Sequence, residues 1–117
     1  MSDYEKELVE ANEAHSKEEY EKALSILKPL VEIEVPGALS LLGVIYQIGV
    51  GAPRNLQKAV TLLTRACELG DGTAAHNLGT IYAMGEEDIE KDFDKSKMYY
   101  RKAKELGAQY APDEFYE

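Results

Sequence analysis

Apolar residues fall at helical spacing along most of the chain. Leu39, Leu42, Ile45 and Tyr46 form one stripe, and Leu56, Ala59, Val60, Leu63, Ala66 and Cys67 form the next at i, i+3, i+4 intervals. Gly49-Val50-Gly51-Ala52-Pro53 separates them, Pro36 suits a first helical turn, Asn55 suits an N-cap, and Gly70 supplies a stop. The plan then recurs. Thr73 or Asp71 starts it, Ala75, Leu78, Ile81 and Tyr82 run up to Gly85, and Ser96, Tyr99, Tyr100 and Ala103 follow the N-cap Asp92 up to Gly107. Ahead of both lies a thinner stripe, Leu8, Ala11 and Ala14, then a strong one from Tyr20 through Ala23, Leu24, Ile26, Leu27, Leu30 and Val31. No stretch alternates with the period of a strand. The pattern predicts an all-α, right-handed α-α superhelix of about three helix–loop–helix units. Their expected bounds are about 4–35, 36–71 and 72–107, with a C-terminal cap at 108–117, all in one domain spanning 1–117.

The units are copies. Leu42-Gly43-x-x-Tyr46 returns 36 residues later as Leu78-Gly79-x-x-Tyr82, and Ala66 to Gly70 returns 37 later as Ala103 to Gly107. A fixed period in the thirties marks stacked supersecondary units, none of which buries its apolar face alone. Glycine inside a helix costs about 1 kcal/mol against alanine, so Gly43 and Gly79 imply close helix contacts. Gly43 is expected to face Ala59, Gly79 to face Ser96, and Tyr46 and Tyr82 to fill space between adjacent units. Pro29 is expected to kink its helix. The first unit has no loop glycine near His15-Ser16-Lys17 and is highly charged, as a capping repeat is. The aromatics of Tyr110-Ala111-Pro112-x-x-Phe115 are expected to cover the last exposed apolar face.

These residues resemble the Sel-one-like repeat family, a relative of tetratricopeptide repeats. The second unit reads Ala38-x-x-x-Leu42-Gly43-x-x-Tyr46-x-x-Gly49-x-Gly51, then Asn55-x-x-Lys58-Ala59, Ala66 and Gly70. The third reads Ala74-x-x-x-Leu78-Gly79-x-x-Tyr82-x-x-Gly85, then Asp92-x-x-Lys95-Ser96, Ala103 and Gly107. The resemblance covers residues 36–107; the first unit is more like a plain tetratricopeptide repeat, through Tyr20-x-x-Ala23. Ala52 stands where the family has Val, Asn55 where it has Asp, and the third loop lacks the second Gly. The resemblance implies a solenoid whose first helices line a concave face that binds protein. On that wall it places Ser40, Val44, Gln47, Ile48, His76, Thr80 and Met84, with Asn12, His15 and Ala83 beside them. Ile48 and Met84, at equivalent positions, serve either as inter-repeat packing or as binding anchors.

Charge and composition narrow the partners. The chain carries 22 acidic against 13 basic residues, net −9, which disfavours nucleic acid. Residues 1–21 hold eight acids and two lysines and residues 108–117 three acids, while 36–70 hold three bases and one acid. A basic protein partner fits that distribution. No apolar run approaches a membrane span, the charged start is not a secretory signal, and the single Cys67 suits a reduced, cytoplasmic setting. Candidate chemistry is thin. His15 and His76 have no nucleophile or ligand at diagnostic spacing. The run Glu86 to Asp94 lacks the mid-loop glycine and twelfth-position Glu of a calcium loop and reads as a solvated acidic loop. No phosphate loop or zinc motif is present. The expectation is therefore a non-catalytic adaptor without cofactor or metal, a monomer or weak oligomer, binding one protein. An immunity or regulatory protein neutralising a basic toxin is a specific version. A small-molecule binder or enzyme subunit, and a piece of a longer repeat array, are the alternatives.

Overall fold

The computed structural model describes residues 3–86 and 88–108. Six helices follow in order: α1 (Asp3–Ser16), α2 (Tyr20–Glu32), α3 (Pro36–Ile48), α4 (Leu56–Glu68), α5 (Gly72–Met84) and α6 (Phe93–Glu105), with no strand among the described residues. They pair α1 with α2, α3 with α4 and α5 with α6, and the pairs stack in chain order.

Local chemistry sets the boundaries. The side chains of Asn55, Asp71 and Asp92 accept from the backbone N–H of Lys58, Ala74 and Lys95 at 3.0, 2.9 and 3.0 Å, satisfying one orphan donor at the start of α4, α5 and α6. Asp71, rather than Thr73, is thus the cap of α5. The loops close alike, with Asn55 N–H donating to the Tyr46 carbonyl and Asp92 N–H to the Tyr82 carbonyl, each at 2.9 Å. Each unit ends on a left-handed residue: Glu34 at φ 56°, Gly70 at 97° and Gly107 at 85°. Around them paired bonds close the helix end, as where Asp71 N–H reaches the Ala66 carbonyl at 2.9 Å. The glycine missing from the first loop is replaced by Glu18, at φ 63°. Pro29 lies within α2, which continues through it to Glu32.

Two apolar clusters hold the stack. One joins Ala11, Leu27 and Leu30 to Ala38 and Ile45; the other joins Leu39, Leu56 and Leu63 to Leu78, Ile81 and Ala103. The helical glycines sit at the tightest approaches, with partners shifted one turn from those expected. A Cβ on Gly43 would lie 2.8 Å from Leu63, with the Ala59 carbonyl next at 3.5 Å. One on Gly79 would lie 2.6 Å from the Tyr100 ring, while Ser96 Oγ donates to the Gly79 carbonyl at 2.8 Å. Tyr46 lines a cleft against Leu24 and Val31 of α2, and Tyr82 stacks on Tyr99 of its own unit with centroids 5.9 Å apart.

The curvature follows from the contacts. The backbone of α3 approaches both α1 and α5, whereas the backbones of α2 and α4, and of α4 and α6, stay apart. The first helices therefore lie on the inner side and the second helices splay outward.

Candidate functional site

On the inner wall the one-repeat equivalence of residues 36 apart places Val44 with Thr80 and Ile48 with Met84. Ile48 is 60% and Met84 58% exposed, at the C-terminal ends of α3 and α5. An exposed large apolar side chain at both equivalent positions, one helix apart, is a paired feature rather than scatter. Between them opens a cleft of about 180 Å³, lined by Gln47, Ile48, Leu56, Ile81 and Met84 and bounded by the Arg54–Glu86 ion pair. Arg54 Nε also donates to the Gln47 carbonyl at 3.0 Å. The Gln47 Oε1 atom is buried with no hydrogen-bond partner among the described residues.

Three of the seven wall residues are not on the open wall. Ser40 is only 4% exposed. Its equivalent His76 lies against α6, its ring 5.3 Å from that of Tyr100, and burial pushes its pKa below the ordinary histidine value, favouring the neutral ring. Gln47 turns into the cleft between repeats. Val44 and Thr80 are half-buried, and Thr80 Oγ1 is hydrogen-bonded to Tyr100 Oη at 2.9 Å. The open inner surface thus contracts to Ile48 and Met84, backed by Val44 and Thr80. Of the flanking residues, His15 bonds the Val50 carbonyl at 3.0 Å and packs edge-on to Tyr20, and Asn12 bonds the Leu8 carbonyl at 2.9 Å.

The electrostatics also depart from expectation. The acidic loop is tied back to the preceding repeat, Glu86 to Arg54 and Asp88 Oδ2 to Gln57 Nε2 at 2.9 Å, so it is a strut between units as much as a solvated patch. Arg65 forks onto Glu34 at 2.6 and 3.2 Å and ties α4 to the turn before α3. The described end of the stack is not acidic: α6 carries five bases and two acids, whereas α1 carries five acids and one lysine. The acidic stretch expected at the end lies at 109–117, outside the described residues.

A second concavity was not foreseen. Where α4 and α6 diverge, a cleft of about 580 Å³ opens on the outer side, lined by Thr64, Cys67, Met98, Tyr99 and Lys102 among others. Burial raises the Cys67 thiol above its ordinary value, which keeps it protonated and unreactive. Burial also raises Tyr99. Among the described residues no three His, Cys, Asp or Glu side chains gather as a metal cluster, and no helix is long and apolar enough to cross a membrane.

A family model described as Sel1 repeat matches residues 36–71 and again 72–107. Among solved structures, a Sel1 repeat protein from Oxalobacter formigenes superposes with a TM-score of 0.74 at 30% identity, over 85% of this chain and 39% of that one. The protein c5321, a protective antigen of uropathogenic Escherichia coli strains displaying an SLR fold, superposes with a TM-score of 0.74 at 25% identity, over 86% of this chain and 22% of that one. The chain therefore spans well under half the length of either. No curated protein matches it.

Proposed function

The chain belongs to the Sel1 repeat family, and on that premise we propose that it is a non-catalytic module that binds one protein partner along the inner face of its first helices. Sel1 repeats generally serve as protein-interaction modules. The observation that carries the reading here is the Ile48–Met84 pair: two large apolar side chains, more than half exposed, at equivalent positions flanking one cleft. A soft thioether beside a branched aliphatic suits an adaptable apolar contact. Val44 and Thr80 extend that contact along the two helices.

The acids of α1 favour a narrower version, a small regulatory or immunity-type protein that neutralises a basic partner. Glu5, Glu10 and Glu13 are exposed, and α1 carries a net −4 from five acids and one lysine. Such a field mainly raises the association rate, while apolar contacts set the dissociation rate.

Two arms test the proposal on a partner recovered from the native host. Ile48→Asp with Met84→Asp is expected to raise the dissociation rate at least tenfold in a variant that keeps its helical spectrum. Glu5→Lys with Glu10→Lys is expected to slow association and to flatten its dependence on salt between 50 and 500 mM, where screening falls from about 14 Å to about 4 Å. An unchanged dissociation rate removes the inner-face reading. Association indifferent to salt removes the basic partner.

A further inference from the structure

The cleft between the second and third units has room for one side chain. Leu56 and Ile81, 3% and 4% exposed, lie deep in it, and Ile48 and Met84 stand open beside them. At about 180 Å³ it falls short of the roughly 300–1,000 Å³ of a small-molecule pocket. The lining is apolar except for two groups, the Gln47 amide and the Arg54–Glu86 pair at the rim.

Gln47 is the odd residue. Its amide lines the cleft, yet its Oε1 atom is buried with no hydrogen-bond partner among the described residues. A buried acceptor left unpaired costs stability, and the repeat does not require it: the third unit has Ala83 at the equivalent place. The last torsion of a glutamine is soft, so a donor seated in the cleft draws Oε1 onto itself at little cost. Arg54 is held in place from three sides. Gly49, at φ 78°, lets the chain approach so closely that a Cβ there would lie 2.8 Å from the Arg54 Cβ. Arg54 Nε donates to the Gln47 carbonyl at 3.0 Å, and the guanidinium pairs with Glu86. A flat cation is thereby fixed at the mouth of the cleft.

The occupant follows from these constraints. Its body is large and apolar, to cover Leu56 and Ile81. It is uncharged, because a charge seated against those side chains loses its hydration. It carries a donor for Gln47 Oε1 and no acceptor that the apolar lining would strand. An aromatic ring gains further from the Met84 thioether and from the face of the Arg54 guanidinium. Tryptophan alone among the side chains combines an aromatic body with one N–H donor and no acceptor. We propose that this cleft receives one tryptophan of the partner, its indole N–H donating to Gln47 Oε1. The proposal rests on the inner-face reading and adds the partner's chemistry to it: a protein segment that presents an exposed tryptophan, a residue type enriched among interface anchors.

The chain contains no tryptophan, so indole emission reports an added probe alone. N-acetyltryptophanamide is titrated into the full chain and followed by its emission and by the magnetic resonance signals of the Met84 methyl and the Gln47 side-chain amide. Saturable binding is expected, with blue-shifted emission and movement of both signals. N-acetyl-1-methyltryptophanamide, which lacks the donor, and N-acetyltyrosinamide are each expected to bind about fivefold or more weakly. Gln47→Leu is expected to keep the helical spectrum and to bind the two tryptophan probes alike. No saturable movement at Met84, equal binding of the donor-free probe to the parent chain, or tighter binding of the tyrosine probe overturns the proposal. Failure of the inner-face reading looks different, because it is decided on the native partner. If Ile48→Asp with Met84→Asp speeds that partner's dissociation while the tryptophan probe fails, the tryptophan is overturned and the inner face stands. An unchanged dissociation rate removes both.

Discussion

The Tyr100 ring occupies the space into which a Cβ on Gly79 would project: that carbon would come within 2.6 Å of two ring atoms. Tyr100 is in turn fixed by its hydroxyl on Thr80 and its ring against His76, so it cannot swing aside cheaply. Gly79→Ala gains up to about 1 kcal/mol of helix propensity but forces overpacking that costs about 1–3 kcal/mol. A net loss is expected by denaturant melting. In a double-mutant cycle, Gly79→Ala with Tyr100→Leu is expected to lose less than the sum of the two single changes; strict additivity contradicts the contact.

Ser96 is the third unit's counterpart of Ala59, and its hydroxyl is buried on the Gly79 carbonyl. That carbonyl sits inside α5, where the helix supplies its own donor. Ser96→Ala therefore leaves no acceptor stranded and is expected to cost no more than about 1 kcal/mol, measured by urea titration. A loss above roughly twice that contradicts the account.

Glu18 holds a left-handed backbone, φ 63°, in an exposed turn. A non-glycine residue pays about 1–2 kcal/mol there. Glu18→Gly is expected to raise stability, offset in part by the greater freedom of glycine in the unfolded chain. A lower melting temperature contradicts the assignment. Glu34 is in the same conformation but is also the partner of Arg65, so Glu34→Gly is expected to show a smaller gain or a loss.

The Arg65 guanidinium, chiefly through its hydrogen bonds, holds the Glu34 carboxyl below its usual range. A carboxyl whose folded pKa is depressed contributes stability that is present above its unfolded value, about 4.3. That stability is lost as pH falls through the lower folded value. Both groups are exposed, so the contribution is small. Melting curves of the parent and Glu34→Gln are expected to converge on acidification below about pH 4. Curves that stay parallel contradict the ion pair.

Features set by short spacing were legible in the sequence. Asn55, Asp71 and Asp92 each bond an amide three residues on, so residue type and position suffice to mark a cap. The fold followed from two copies of one apolar stripe. Ser40 and His76 show where this ends. They are equivalent by position and neither stands open: Ser40 is buried, and His76 is half-buried against Tyr100. An apolar stripe marks the centre of a buried side, not how far burial reaches across the polar residues beside it. The outer cleft at Tyr99 was invisible for a related reason, since it depends on how far α4 and α6 splay. The left-handed Glu18 was illegible because glutamate gives no sign of that conformation.

The central claim, that the inner face is the binding surface, is tested most directly by amide hydrogen exchange on the chain alone and with its native partner bound. Protection is expected at the C-terminal turns of α3 and α5, around Val44 to Ile48 and Thr80 to Met84, and it is expected to vanish with Ile48→Asp and Met84→Asp. Protection confined instead to α4 and α6 around Thr64, Met98 and Tyr99, with residues 44–48 and 80–84 exchanging as in the free chain, contradicts the claim and moves the partner to the outer cleft.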